Sequence, residues 1–380
     1  MTVKCAEMGR SPAQLFADWL AGGISPSLPQ AGDGTVIFTQ SGRAAILLAA
    51  RLWQISEADE VLIPAYNCGS EISPLIATGA RVSMYRVDSN AQIDFADLCK
   101  RITDRTRLIH VTHYFGRPAD LRELAALCGK RNIRLLEDCA LSLFSGKTGN
   151  TGDAAIFSFY KMLPACGGGA LVLRKPDRPH SSVLKANQAG HTARDALSLV
   201  KKWAKASIEL AKRTPPSTFA DEQMLGQCDT ELPDIPADYY CGSDATVRRG
   251  ARVTLGAVRR TNIESVIRTR RNNYEILRRS LAGTENISLL WEEPLDDPEM
   301  CPLGLPVLVR NKMQWCDKLN ACGIAVSPWW SGFHRGLNWN QYPEARALKA
   351  QLILLPVHQN LDPHHMEYIA QKVRWLAASD

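Results

Sequence analysis

"LIHVTHYFGRPADLRELAALCGKRNIRLLEDCA", Leu108 to Ala140, decides the fold. With Arg107 in front, the first third is a nearly continuous apolar run, Arg107–Gly116, and reads as a buried strand. Ala119–Asn132 follows, with apolar residues recurring at helical spacing and charges between them. Ile133–Ala140 is apolar again and ends in two carboxylates, Glu137 and Asp138. Strand, helix and strand in this order predict a parallel pair joined by a crossover helix.

The same alternation extends outward on both sides. Upstream, Thr35–Gln40, Glu60–Tyr66 and Arg81–Val87 read as strands, with helices at Ser41–Trp53, "SEISPLIATG" and Asp94–Ile102. Ser41 is the expected N-cap of the first of these. Downstream, "AAIFSFYK" and "GGALVLR" are two more strands. Apolar strands separated by helices imply an α/β domain, its mostly parallel sheet covered on both faces. Beyond residue 180 the pattern changes. Lys185–Pro216 reads as helical, and a polar, proline-containing stretch follows it. Val247–Leu281 is a long basic amphipathic helix system. After it come strand, helix, strand and helix from about residue 285, the pattern of a smaller α+β unit. The expected division is a large domain over 1–250, with a helical and loop insert at about 185–240, and a small domain over 251–380.

Composition narrows the function. The 380 residues are 45% hydrophobic, enough for a large core, yet no apolar run reaches the roughly 20 residues that span a bilayer. Glu7 and Asp18 interrupt the N-terminal region, so no signal peptide is expected there, only a helix over Pro12–Leu20 and a cytoplasmic protein. Eleven scattered cysteines with no C-x-x-C spacing argue for free thiols rather than a metal site or a disulfide framework. The net charge of +6 suits an anionic small molecule, and no nucleic-acid-binding signature accompanies it.

Open α/β sheets bind ligands beyond the carboxyl ends of their strands. Ser41 and Gly42, Asn67 and Cys68, His113, Asp138 and Lys161 all fall at such ends. A lysine at a strand end is ordinarily solvated. Lys161, however, follows a buried run and precedes Gly167–Gly169, which are expected to let the backbone approach a ligand. Desolvation there would hold the amine neutral and nucleophilic. Asp138 would either cap the next helix or pair with a buried cation such as a pyridinium. The "QSGRAA" turn (Gln40–Ala45), opening a helix, suits a phosphate, and Ser158 would add a hydroxyl. His113 by itself reads as a satisfied core histidine.

Together these segments resemble the DegT/DnrJ/EryC1/StrS aminotransferases, pyridoxal-phosphate enzymes of the aspartate-aminotransferase fold. The likeness runs through "SGRAAILLAARL", Leu108–Ala140, "GDAAIFSFYK…GGALVL", "LNACGIAVSPWW…FHR" and "LLPVHQNL". It implies a fold type I enzyme and a homodimer with the site at the subunit interface. Lys161 would carry the Schiff base to pyridoxal 5′-phosphate. Asp138 would face the pyridine nitrogen. Ser41, Gly42, Arg43 and Ser158 would meet the phosphate, and Cys68 and His113 would line the site. The implied reaction moves an amino group from an amino acid, glutamate by family habit, to a nucleotide-linked keto-sugar in amino-sugar or surface-polysaccharide synthesis. The chain departs from the pattern at Leu141, where the family has Gln or His, and at Cys68, where it has a stacking aromatic that nearby Tyr66 would have to replace. The link from Lys161 to the glycines is also short. Three alternatives stay open: dehydration, amination of a non-sugar ketone, and a non-catalytic nucleotide-sugar-binding relative. The insert's Val200–Arg213, apolar on one face and lysine-rich on the other, is expected to cover the site or a partner subunit. A lipid surface is the other reading.

Overall fold

The computed structural model of the chain describes residues 28–163, 165, 167–174, 232–242 and 244–379. The expected helices at 12–20 and 185–216, and with them the lysine-rich face of 200–213, lie outside these residues.

Seven strands form the large sheet: β1 (Thr35–Thr39), β2 (Glu60–Pro64), β3 (Arg81–Tyr85), β4 (Thr106–Thr112), β5 (Arg134–Asp138), β6 (Ala154–Ser158) and β7 (Gly169–Leu173). Their spatial order is β1-β7-β6-β5-β4-β2-β3. The run from β6 to β3 is parallel, and β7 is antiparallel to both of its neighbours. Every residue of β2, β6 and β7 is buried, as expected of a sheet covered on both faces. The helices between these strands are α1 (Gly42–Leu52), α2 (Ser73–Ile76), α3 (Phe95–Arg101) and α4 (Arg122–Arg131). Ser41 caps α1, its Oγ accepting from the Ala44 N–H at 3.2 Å. Buried Ala44, Ala45, Ala49 and Ala50 have little bulk, so α1 packs closely on β6 and β7.

Downstream lie α5 (Arg252–Arg259) and α6 (Ile263–Leu281), two helices separated at Asn262, which caps α6. The smaller sheet follows, with β8 (Ile287–Leu289), β9 (Gly304–Val309), β10 (Ser327–Pro328) and β11 (Leu352–Pro356) in the antiparallel order β10-β11-β9-β8. Its helices are α7 (Lys312–Ala321), α8 (Pro343–Gln351) and α9 (Pro363–Ala377). Trp315, Leu319, Leu355, Met366 and Ile369 are central to a core of their own. Although α5 lies past residue 250, its Leu255 and Val258 cluster with Phe157 and Val172 of the large sheet. Among the described residues no helix is long and apolar enough to cross a membrane.

Candidate active site

Successive residues of a strand point to opposite faces, so Glu137 and Asp138 part company at the end of β5. Asp138 is level with Thr112 on β4 and with Ile156 on β6, which places His110 and Ser158 on the same face, two residues along. Asp138 is buried. Its Oδ1 accepts from the Ala140 N–H at 2.8 Å, and its Oδ2 lies 3.3 Å from His110 Nε2. Neither ring nitrogen of His110 completes a hydrogen bond of normal geometry among the described residues. Burial pushes the Asp138 pKa up. His110, then the Lys161 amine and the Ala140 N–H outweigh it, and the carboxyl sits below its ordinary range.

On the opposite face, Glu137 accepts from His113 Nε2 at 2.8 Å and from the N–H groups of Gly149, Thr151 and Gly152 at 2.9, 2.7 and 2.6 Å. The other nitrogen of His113 meets the Ala119 N–H at 3.0 Å. Both side chains are buried. His113, expected from the resemblance to line the site, is thus turned to the face opposite Asp138. It holds Glu137 and, through it, the 149–152 loop.

The N-terminus of α1 reaches the Asp138 face. A Cβ on Gly42 would meet Ser158 Cβ at 3.4 Å and Ile156 Cδ1 at 3.6 Å, so Ser41, Gly42 and Ser158 share one small space. Helix-start N–H groups and two hydroxyls there suit an anion. Arg43 points elsewhere. Its Nη1 donates to the Asp238 carbonyl at 2.6 Å, and its guanidinium lies 5.5 Å from the Tyr239 ring. The glycines after Lys161 also have another use than the one expected. A Cβ on Gly169 would lie 2.6 Å from the Ser41 carbonyl carbon and 2.7 Å from the Gly42 nitrogen; one on Gly168, at φ +92°, would lie 2.4 Å from Thr254 Cγ2. They let β7 pass under the α1 turn and turn the chain beside α5, rather than opening a path for a ligand.

Lys161 lies in a turn, not on a strand. β6 stops at Ser158, and the N–H groups of Met162 and Leu163 both return to the Phe159 carbonyl, at 3.2 and 2.9 Å. The amine is 5.6 Å from the centre of the Trp329 ring, which itself stands edge-on to Phe115. Burial lowers the pKa of this amine, but Tyr160, Cys68, Asp138 and Glu71 together raise it above the ordinary lysine value. Contrary to expectation, desolvation alone therefore does not set this amine: the groups around it shift it the other way.

Across from Lys161, Cys68 is bound to Glu71 in the turn before α2. Its N–H and Sγ donate to the two oxygens of Glu71 at 2.9 and 2.7 Å, and Ser70 Oγ is 2.9 Å from the sulfur. Burial first, then the Glu71 charge, pushes the thiol up to about 12. Tyr66 is fully buried. Its hydroxyl donates to the Trp329 carbonyl at 2.8 Å, and its ring packs on Tyr114 and Trp330. Leu141 is also buried, within the main core. Among the described residues no group of three or more His, Cys, Asp or Glu is placed to hold a metal ion.

The model of the DegT/DnrJ/EryC1/StrS aminotransferase family matches residues 30–197 and 252–374, most of the chain. The chain belongs to the DegT/DnrJ/EryC1/StrS aminotransferase family. It is 30% identical over 223 residues to a UDP-N-acetyl-3-dehydro-alpha-D-glucosamine 3-aminotransferase of Acidithiobacillus ferrooxidans, covering 53% of this chain and 60% of that protein. To the GDP-perosamine synthase of Escherichia coli O157:H7 it is 32% identical over 139 residues, 35% of this chain and 38% of that one. The matches thus span less than two thirds of either relative. The cofactor-free form of a Streptococcus pneumoniae protein titled a sugar aminotransferase superposes over 98% of this chain and 97% of that one, with a TM-score of 0.69 at 16% identity. That likeness speaks to the fold.

Within this family member, sequence reasoning had passed over three residues beside Lys161 or Asp138. His110 was detectable only from strand register, which sets it on the Asp138 face. Glu71 carried no such signal; it binds Cys68 N–H and Sγ three residues back, in the turn before α2. Trp329 reaches the site from the smaller sheet's side of the molecule, and nothing local marks it.

Proposed function

We propose that the protein is a pyridoxal-phosphate-dependent aminotransferase acting on a nucleotide-linked keto-sugar. One observation carries the reading: the Lys161 amine, the Asp138 carboxylate and the capped N-terminus of α1 converge at one edge and one face of the sheet. Pyridoxal 5′-phosphate is the cofactor that family membership implies, and the residues present fit it. Among the described residues Asp138 Oδ2 meets only an imperfectly oriented His110, leaving an anionic oxygen for a protonated ring nitrogen. The Ser41–Gly42 turn and Ser158 offer donors to a phosphate, and Lys161 offers the amine for the aldehyde carbon. The names of both curated relatives carry a nucleotide-linked sugar, which supports that acceptor class.

When bound, the cofactor supplies an electrophilic carbon and an electron sink. The chain does the rest. Asp138, held ionised, keeps the ring nitrogen protonated. Lys161 Nζ would take a proton from the donor's α-carbon and return one to the acceptor carbon. The Trp329 ring, 5.6 Å from that amine, gives it one apolar wall.

Borohydride reduction in the presence of pyridoxal phosphate, followed by peptide mapping, tests this reading. The pyridoxyl group is expected on Lys161, and Lys161→Ala is expected to lower amino transfer by about 10²–10⁴-fold. Labelling of a different lysine, or of none, overturns the assignment. Release of water without nitrogen transfer to the sugar would make the enzyme a dehydratase instead.

A further inference from the structure

The carbonyl of Met162, next to Lys161, accepts two hydrogen bonds from residues distant in sequence. Gln359 Nε2 donates at 3.0 Å and Arg270 Nη2 at 3.4 Å. Arg270 is 1% exposed on the inner face of α6, where a charged residue needs a reason. Its Nη1 donates to the carbonyls of Pro302 and Leu303, both at 3.1 Å, and its Nε donates to Gln359 Oε1 at 2.7 Å. That last bond commits the oxygen end of the carboxamide to Arg270, so only its nitrogen can face Met162. One turn along α6, Asn273 Nδ2 donates to the His358 and Leu361 carbonyls at 3.2 and 2.9 Å and fixes the loop that carries Gln359. Burial, then the Arg270 charge, holds His358 well below its ordinary pKa, so it adds no competing cation.

We propose that Arg270 and Gln359 are positioning residues for Lys161: by clamping the Met162 carbonyl they set where the amine stands and tie it to the unit built on the smaller sheet. The inference rests on Lys161 being the cofactor lysine. The need is physical. Residues 159–163 form a turn outside the sheet ladder, and lysine has a long flexible stem. Displacing a reacting group by about 1 Å can cost about 10²-fold in rate.

Gln359→Met in the full chain removes the donor while keeping length and bulk. The readout is the initial rate at which borohydride traps pyridoxal phosphate on Lys161, measured beside kcat and the donor KM. Trapping and kcat are each expected to fall about tenfold, the value of one well-placed hydrogen bond, with KM within about twofold and the cofactor-free melting temperature within about 3 °C. Gln359→Glu keeps the Arg270 contact and lacks the donor, so it should show the same loss. It carries the comparison should the methionine variant not fold. If folded variants trap the cofactor at the wild-type rate, Gln359 merely holds the fold together and the inference is overturned. If wild-type Lys161 is not labelled either, the cofactor reading and this inference fall together.

Discussion

Two buried carboxylate–histidine pairs stand side by side at the ends of β4 and β5, with their carboxylates one residue apart, and are supplied in opposite ways. Glu137 and His113 are saturated: three backbone N–H groups and an imidazole meet the carboxylate, and a backbone N–H meets the other ring nitrogen. Among the described residues Asp138 and His110 are undersupplied, with one backbone N–H on the carboxylate and no well-formed hydrogen bond on the ring. A saturated buried charge has nothing left to offer a ligand. An undersupplied one is costly in the empty protein and is retained where a ligand completes it. Satisfaction rather than burial therefore separates the saturated pair from the one we propose for the cofactor.

The largest expected effect breaks the two pairs apart. Asp138→Asn should lower turnover by about 10²–10³-fold with little loss of stability, since it removes the charge opposite a cationic ring. Glu137→Gln should do the reverse. It should destabilise the fold by about 3 kcal/mol, because it strands buried donors, while turnover per folded molecule stays within about twofold. Urea unfolding and steady-state assays on the two variants check both halves. Equal loss of turnover would end the distinction.

The second expectation concerns acid. Burial raises the Glu137 pKa, but His113 and the loop N–H groups outweigh it, so the folded carboxyl lies below its ordinary value of 4.5. Its stabilisation is therefore complete above that value and is lost as pH falls through the lower folded pKa. Unfolding free energy measured from pH 7 down to pH 3 should fall less steeply in Glu137→Gln than in the wild type. Parallel curves would show that the pair is not coupled to folding.

The smallest effect is expected at Glu71's partner. Glu71, like Glu137, is supplied with donors, yet it faces Lys161. With its thiol pushed up to about 12, Cys68 should resist iodoacetamide at pH 8. Cys68→Ala should cost only about 1 kcal/mol and a few-fold in turnover, since the residue-68 backbone N–H still donates to Glu71. Rapid alkylation, or loss of activity comparable with Asp138→Asn, would place Cys68 with the functional residues instead.

Much of the large sheet was legible because its elements announce themselves locally. Ser41 before an alanine-rich helix, the apolar runs and the Gly167–Gly169 turn all read correctly as element boundaries. The roles of particular residues read less well. His113 and Asp138 both stand at strand ends, and only register shows that they face apart. Gly168 and Gly169 looked like an opening for a ligand, and only the positions of Thr254 and the Ser41–Gly42 turn show what fills the space. Arg43 looked like a phosphate ligand until segment 237–239 came to lie against it.

By itself, the sequence determined the order of strands and helices, the family, and the two residues, Lys161 and Asp138, on which the proposed chemistry turns. Only the tertiary structure decided which face each site residue takes, that acids surround Lys161, and that Arg270 and Gln359 reach the carbonyl beside it. The physical reason lies in the sheet. Strands buried on both faces are apolar throughout, so they lack the alternation that would tell one face from the other, and contacts across hundreds of residues leave no periodic trace in the chain.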